Sequence, residues 1–174
     1  PPRKMFMRTR NLQKTLNESL AQQAILDAER AALHQTMAII EFSPTGEVLE
    51  ISVPFLKLLG YSLNEIHGRH HRVLCEPTYA NSREYADFWR RLCQGQSISE
   101  RVLYLRGDGR QLWLEASYVP VRGADGSVQR IIQVASDVTE RTHRSQTESS
   151  FVQAVDRSMA VIEFDLQGHV LNAN

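Results

Sequence analysis

The chain has 174 residues, in which twenty basic side chains balance twenty acidic ones; a net charge of zero leaves no electrostatic footprint for nucleic acid. Apolar residues make up 42%, which excludes a disordered chain, and Cys75 and Cys93 lack the spacing of a disulfide framework or zinc ribbon and suit a reducing cytoplasm. No apolar run approaches the roughly 18 residues of a membrane span, and the start at Pro1 and stop at Asn174 inside a strand-like run are those expected of a fragment.

Arg3, Lys4, Arg8, Arg10 and Lys14 crowd the first fourteen residues without an acid among them. This suits a solvated helix start or a segment lying just inside an upstream membrane helix. Residues 4–36 contain no Gly or Pro and are rich in helix formers. A helix of that length spans about 45 Å, more than one small domain covers. Leu12, Leu16 and Leu20 step by four, so residues 1–36 are expected to form a signalling helix that pairs with the same helix of a second subunit or packs on the chain's own sheet.

Past Leu33 the period changes. Residues 37–42 and 47–51 read as a β-hairpin about the turn Ser43-Pro-Thr-Gly46. Residues 55–59 form a helical turn stopped by Gly60, and Ser62 with Glu65 makes a capping box for another. Asn81 with Glu84 is expected to cap a longer helix whose Tyr85, Phe88, Trp89 and Leu92 share one face before Gly95. Strands over 102–106, 111–121 and 128–135 follow, separated by Asp108-Gly109 and Asp125-Gly126. Another helix should open at Ser136-Asp137 and run to about Arg157. The order implies an α+β domain: a five-stranded antiparallel sheet with small helices on one face.

The run Met37-Ala-Ile-Ile-Glu-Phe-Ser-Pro-Thr-Gly-Glu-Val-Leu49 recurs as Met159-Ala-Val-Ile-Glu-Phe-Asp-Leu-Gln-Gly-His-Val-Leu171, a constant offset of 122. The expected organisation is a helix (1–36), a complete module (37–137), a connecting helix (138–158) and the start of a second copy (159–174).

Gly46-Glu-Val-Leu, the stretch from Phe55 through Gly60-Tyr61 to Gly68, and the closing Asp137-Val-Thr-Glu-Arg141 resemble a PAS sensory domain. Gly68-Arg-His-His-Arg-Val-Leu-Cys75 with Tyr79-Ala-Asn-Ser and Phe88-Trp89 is similar to the PAS modules of tandem-PAS, methyl-accepting chemotaxis receptors of the biofilm-dispersal and aerotaxis type. The resemblance implies a homodimeric, cytoplasmic signal-input module. It would report a ligand or redox state through flanking helices to a kinase and coupling protein, attached to the inner membrane if a membrane segment precedes it. The input module of a sensor kinase or cyclic-dinucleotide enzyme, and a ligand-free dimerisation spacer, are the alternatives.

Enzyme readings lack a constellation, since GxSxG, P-loop, HExxH and GxGxxG patterns are all missing. His67, His70 and His71, with Cys75 nearby, form the one cluster of ligand-like residues. They offer no zinc set, but His70 or His71 could serve haem b as an axial ligand; the plainer reading is that they lie on a polar loop or hydrogen-bond locally. The aerotaxis resemblance favours His71. It also suggests FAD, yet Cys75-Glu76-Pro77 replaces a phosphate-binding Arg-His-Pro, Ile51-Ser52 replaces Ala-Asn, and Leu114 stands where light-sensing flavin domains carry asparagine. FAD, haem, a small ligand or no ligand all stay open, with His71, Cys75, Trp89 and Leu114 as candidate pocket residues. Leu112, Leu114, Ala116 and Tyr118 share one strand face, leaving Trp113 on the other to be covered by the N-terminal helix or a partner subunit.

Overall fold

The computed structural model describes residues 2–145, 147, 162–165, 167 and 169–173. Helix α1 runs from Pro2 to Thr36 and hands the chain directly to β1 (Ala38–Phe42), which turns into β2 (Val48–Ile51). The helical segment comprises α2 (Val53–Leu59), α3 (Leu63–Ile66), a 3-10 turn (His71–Leu74), α4 (Pro77–Ala80) and α5 (Arg83–Cys93). Strands β3 (Ile98–Leu105), β4 (Gln111–Arg122) and β5 (Val128–Asp137) complete the module, and the exit helix starts at residue 139. The sheet order is β2-β1-β5-β4-β3 with every pairing antiparallel, the expected α+β arrangement.

Alternation explains the core. On β4, Leu112, Leu114, Ala116 and Tyr118 are buried while Glu115 and Val119 on the opposite pleat face water. Helix α5 presses Tyr85, Phe88, Trp89 and Leu92 onto that layer. Its N-cap is Ser82, whose hydroxyl accepts from Tyr85 N–H, rather than the expected Asn81. The Asn81 amide instead donates back to the Pro77 carbonyl and finishes α4. Strand β3 begins at Ile98, four residues before the expected Val102, because Ile98 pairs with Tyr118 on the long β4. Ser52 caps α2 by accepting from Phe55 N–H, and its hydroxyl also ties Ile39 and Met37 of the neighbouring strand.

The repeat is visible in geometry. Ile40, Glu41 and Phe42 pair with Ile51, Glu50 and Val48, with an irregularity after Glu41. In β6 (Ile162–Phe164) and β7 (Val170–Ala173) the pairs are Ile162–Ala173, Glu163–Asn172 and Phe164–Val170, with the irregularity after Glu163. Every partner is displaced by the sequence offset of 122, bulge included. The expected course of the connecting helix beyond 147 and the approach to β6 at 159–161 lie outside the described residues.

Candidate functional site

The β1–β2 turn places His71 in the interior. Gly46 closes that turn at φ +88°, and its carbonyl accepts from His71 N–H at 2.7 Å, while Val48 exchanges bonds with Arg69 and Gly68. The segment 68–71 is thereby stitched along β2. A Cβ at Gly46 would sit 2.8 Å from His70 Nε2, so the turn needs glycine for space as well as for its left-handed conformation. The two histidines then diverge: His70 stays at the rim with its Nδ1 accepting from Arg72 N–H, and His71 points inward at 1% exposure. His67 is exposed, His70 hydrogen-bonds locally to Arg72, and His71 is buried and hydrogen-bonded to Tyr85 and Tyr104.

Around His71 the protein builds a directed chain of hydrogen bonds. Tyr104 donates its only proton to Gln133 Oε1 at 2.9 Å. The 2.6 Å contact between Tyr104 and His71 Nε2 must then have Nε2–H as donor, and the 2.8 Å contact with Tyr118 must have the Tyr118 hydroxyl as donor. His71 Nδ1 is left as the acceptor, for the Tyr85 hydroxyl at 3.0 Å and the Cys75 thiol at 3.5 Å. Burial, aided by the neighbouring charge of His70, pushes the His71 imidazole down to about 3, so it stays neutral and keeps this tautomer. The chain crosses the whole module, from α5 through the 3-10 turn and β3 to β5. Two buried donors next to it, Trp89 Nε1 and Gln133 Nε2, have no hydrogen-bond partner among the described residues.

His71, Tyr104, Tyr118 and Phe88 floor a cavity of about 250 Å³ that opens beside Tyr79 and between Glu76 and Glu100. Cys75 lines it as well, but burial pushes its thiol up to about 12, which makes it a packing group rather than a nucleophile. Trp89 packs edge-on against Phe42, His71 and Phe88 and lies behind the cavity wall. Leu114 is fully buried in the core and does not reach the cavity.

The site does not fit the two cofactors suggested by sequence. An axial haem ligand needs an open imidazole nitrogen facing the pocket; both nitrogens of His71 are engaged by tyrosine hydroxyls, and His70, whose Nδ1 is taken by Arg72 N–H, is not among the residues that line the cavity. A bound FAD needs a slot for its ring system and a cation for its phosphates. The cavity falls below the roughly 300–1,000 Å³ of drug-sized pockets, its mouth carries Glu76 and Glu100, and Arg101 pairs with Glu115. Among the described residues no group of three or more His, Cys, Asp or Glu is placed to hold a metal ion.

A second polar centre, absent from the sequence reading, lies on the opposite face of the sheet. Glu41 is 2% exposed, yet it meets Arg30 at 2.8 Å, His34 at 3.4 Å and Arg130 at 3.3 Å. Arg30 and His34 also reach Glu50, the cross-strand neighbour of Glu41. Two like charges opposed across a ladder repel, and Arg30 of α1 with Arg130 of β5 neutralises them. The C-terminal end of α1 is thus fastened to the chain's own sheet, while Leu12, Leu16 and Leu20 stand 57–74% exposed on its free length. Trp113 is half-buried, and its backbone is held by Val138 and Thr139 at the start of the exit helix.

A sheet of this order wrapped by short helices, with an interior pocket and a helix at each end, is the architecture of a sensory input module. Residues 33–143 match the PAS fold, and the chain belongs to that family. It is 45% identical over 144 residues to the biofilm dispersion protein BdlA of Pseudomonas aeruginosa, covering 83% of this chain and 34% of that protein. It is 28% identical over 114 residues to the bacterioopsin transcriptional activator of Halobacterium salinarum, covering 66% of this chain and 17% of that one. Among solved structures an RNA-binding light-oxygen-voltage receptor superposes with a TM-score of 0.62 at 28% identity, over 75% of this chain and 37% of the receptor. The chain therefore spans about a third or less of the curated relatives' length. No helix among the described residues is long and apolar enough to cross a membrane.

Proposed function

We propose that the chain is the non-catalytic signal-input part of a cytoplasmic, homodimeric methyl-accepting chemotaxis receptor. Occupancy of the first PAS module would be passed through the exit helix to a second module and on to a kinase-control segment. The observation that carries this reading is the continuous path from cavity to exit helix. His71 floors the cavity and bonds Tyr104, Tyr104 bonds Gln133 on β5, and β5 ends at Asp137. Asp137 Oδ1 accepts from Thr139 N–H at the helix start, and Arg106 of the β3–β4 loop reaches its other oxygen at 3.5 Å. A ligand binding one arrangement of that path more tightly than another shifts the helix it ends on. The likeness to BdlA supports the receptor class, and the exposed leucines of α1 supply a seam for a second copy.

The test is the full-length receptor carrying Gln133→Leu, assayed for control of its kinase. The variant should fold and hold its dimer but lose the response to stimulus. An unchanged response would remove the proposed path. A glutamine- and glutamate-rich heptad hairpin following residue 174 is expected; a transmitter or nucleotide-cyclising domain there would instead make this the input of a sensor kinase or cyclic-dinucleotide enzyme.

A further inference from the structure

The lining of the cavity selects among ligands by hydrogen-bond polarity. The hydroxyls and imidazole on its floor have no proton to spare: His71 Nε2–H goes to Tyr104, Tyr104 to Gln133, and Tyr118 to Tyr104, while the unpartnered Gln133 Nε2 belongs to a residue outside the lining. Tyr118 keeps an unused acceptor lone pair. At the mouth stand two carboxylates with unequal partners. Glu76 accepts a long 3.5 Å contact from Gln111, whereas Glu100 makes no hydrogen bond or ion pair among the described residues. Glu100 lies on the β3 pleat that faces inward with Ile98, Val102 and Tyr104, and it acts electrostatically on both Tyr79 and Tyr118. It shares the cavity lining with the rings of Tyr79, Phe88 and Tyr118.

Neither neighbouring cation bonds Glu100. Arg101, which also lines the cavity, pairs with Glu115 at 3.2 Å, and Arg91, whose charge acts on Glu100 from a distance, bonds Gln96 Oε1 at 2.9 Å. Acceptors, the Tyr79 hydroxyl, the Glu100 carboxylate and the faces of Tyr79 and Phe88 are what remain, and a carboxylate beside rings of this kind attracts a cation. With one water occupying about 30 Å³ of liquid, 250 Å³ holds roughly eight non-hydrogen atoms.

We propose that this cavity binds a small organic ammonium ion, a primary amine on a compact apolar body, with its charge at Glu100 and its body between Tyr79, Phe88 and Tyr118. The inference rests on the sensory reading above and adds the ligand class. No enzyme step is involved; the ligand is bound and released unchanged.

Isothermal titration of the whole chain with benzylamine, benzyl alcohol and benzoate separates the contributions, because the three share a body and differ in charge. Benzylamine should bind with a dissociation constant below roughly 1 mM, benzyl alcohol at least about tenfold more weakly, and benzoate not measurably. Glu100→Gln, a change at the exposed rim that leaves the core intact, should bring benzylamine down to the level of benzyl alcohol. Equal binding of amine and alcohol, a preference for benzoate, an unchanged Glu100→Gln titration, or no binding of any of the three up to about 10 mM would each overturn the proposal. The sensory reading fails separately: if the Gln133→Leu receptor loses its response while benzylamine does not bind, the input module stands and the ammonium ligand falls.

Discussion

Glu41 offers a quantitative test of how α1 is held, because one arginine faces two carboxylates in unlike surroundings. The Glu41 side chain is 3% exposed and that of Glu50 is 48% exposed, and Arg30, at 40%, reaches both. A charge-assisted bond to a buried acceptor contributes about 1.5–3 kcal/mol, whereas an exposed pair contributes about 0.2–1 kcal/mol. Double-mutant cycles in urea should therefore give a coupling of about 2 kcal/mol for Arg30→Ala with Glu41→Gln. The cycle with Glu50→Gln should give no more than about half that. Raising the salt from 0.1 to 1 M shortens the screening length from about 10 to 3 Å, which should erase the Glu50 coupling and leave most of the other. Equal couplings, or a Glu41 coupling below about 0.5 kcal/mol, would refute the idea that a buried carboxylate fastens this helix.

Four further outcomes follow from the same geometry. His71 is neutral in the fold and takes a proton near pH 6.5 when unfolded, so its contribution is complete above that pH and is lost as the pH falls toward 3; stability at pH 5 should be lower than at pH 7.5 by about 2 kcal/mol. His71→Gln should flatten that dependence between pH 5 and 7, and a slope equal to that of the parent protein would contradict a buried neutral imidazole. A thiol reagent at pH 8 should label exposed Cys93 at once and Cys75 only after unfolding; rapid labelling of both would mean the core around Cys75 is open. Leu16→Glu should weaken self-association in sedimentation without lowering the module's unfolding midpoint, since Leu16 is 57% exposed in one chain; an unchanged mass would place any dimer contact elsewhere. Freshly purified protein should be colourless near roughly 400 and 450 nm, and a haem or flavin band there would show that the ring-filled core rearranges around a cofactor.

Most of the architecture was legible because glycines, caps and strand alternation are local signals. Asp-Gly pairs marked both long hairpins, and the 3.6-residue stripe of α5 announced its buried face. His71 could be chosen, but only through family likeness, and its partners could not. Tyr104 and Tyr118 read as ordinary strand residues, and Gln133 sits within Ile131-Ile132-Gln133-Val134-Ala135, where a single polar residue gives no hint that its oxygen will meet a tyrosine twenty-nine positions away. Glu41 was invisible for a different reason. It lies on the outer pleat of β1, which would face water had α1 not folded back over it, and that contact joins residues eleven apart across a change from helix to strand.

The two polar centres meet on one strand. Gln133 projects from β5 into the relay beneath the cavity, Arg130 projects from the other face to Glu41, and Asp137 at the strand's end caps the exit helix. A shift of β5 relative to β1 therefore cannot alter the cavity relay without pulling on the α1 clasp and the exit helix together. The second copy shows which part of this device is particular to the first module. At the offset of 122, Arg30 and His34 become Val152 and Asp156, and Glu50 becomes Asn172, while the acid is kept as Glu163. Arg30 and the opposed carboxylate vanish together, as expected if the helix arginine exists to neutralise that pair: with Asn172 opposite Glu163 there is no cross-strand repulsion to relieve.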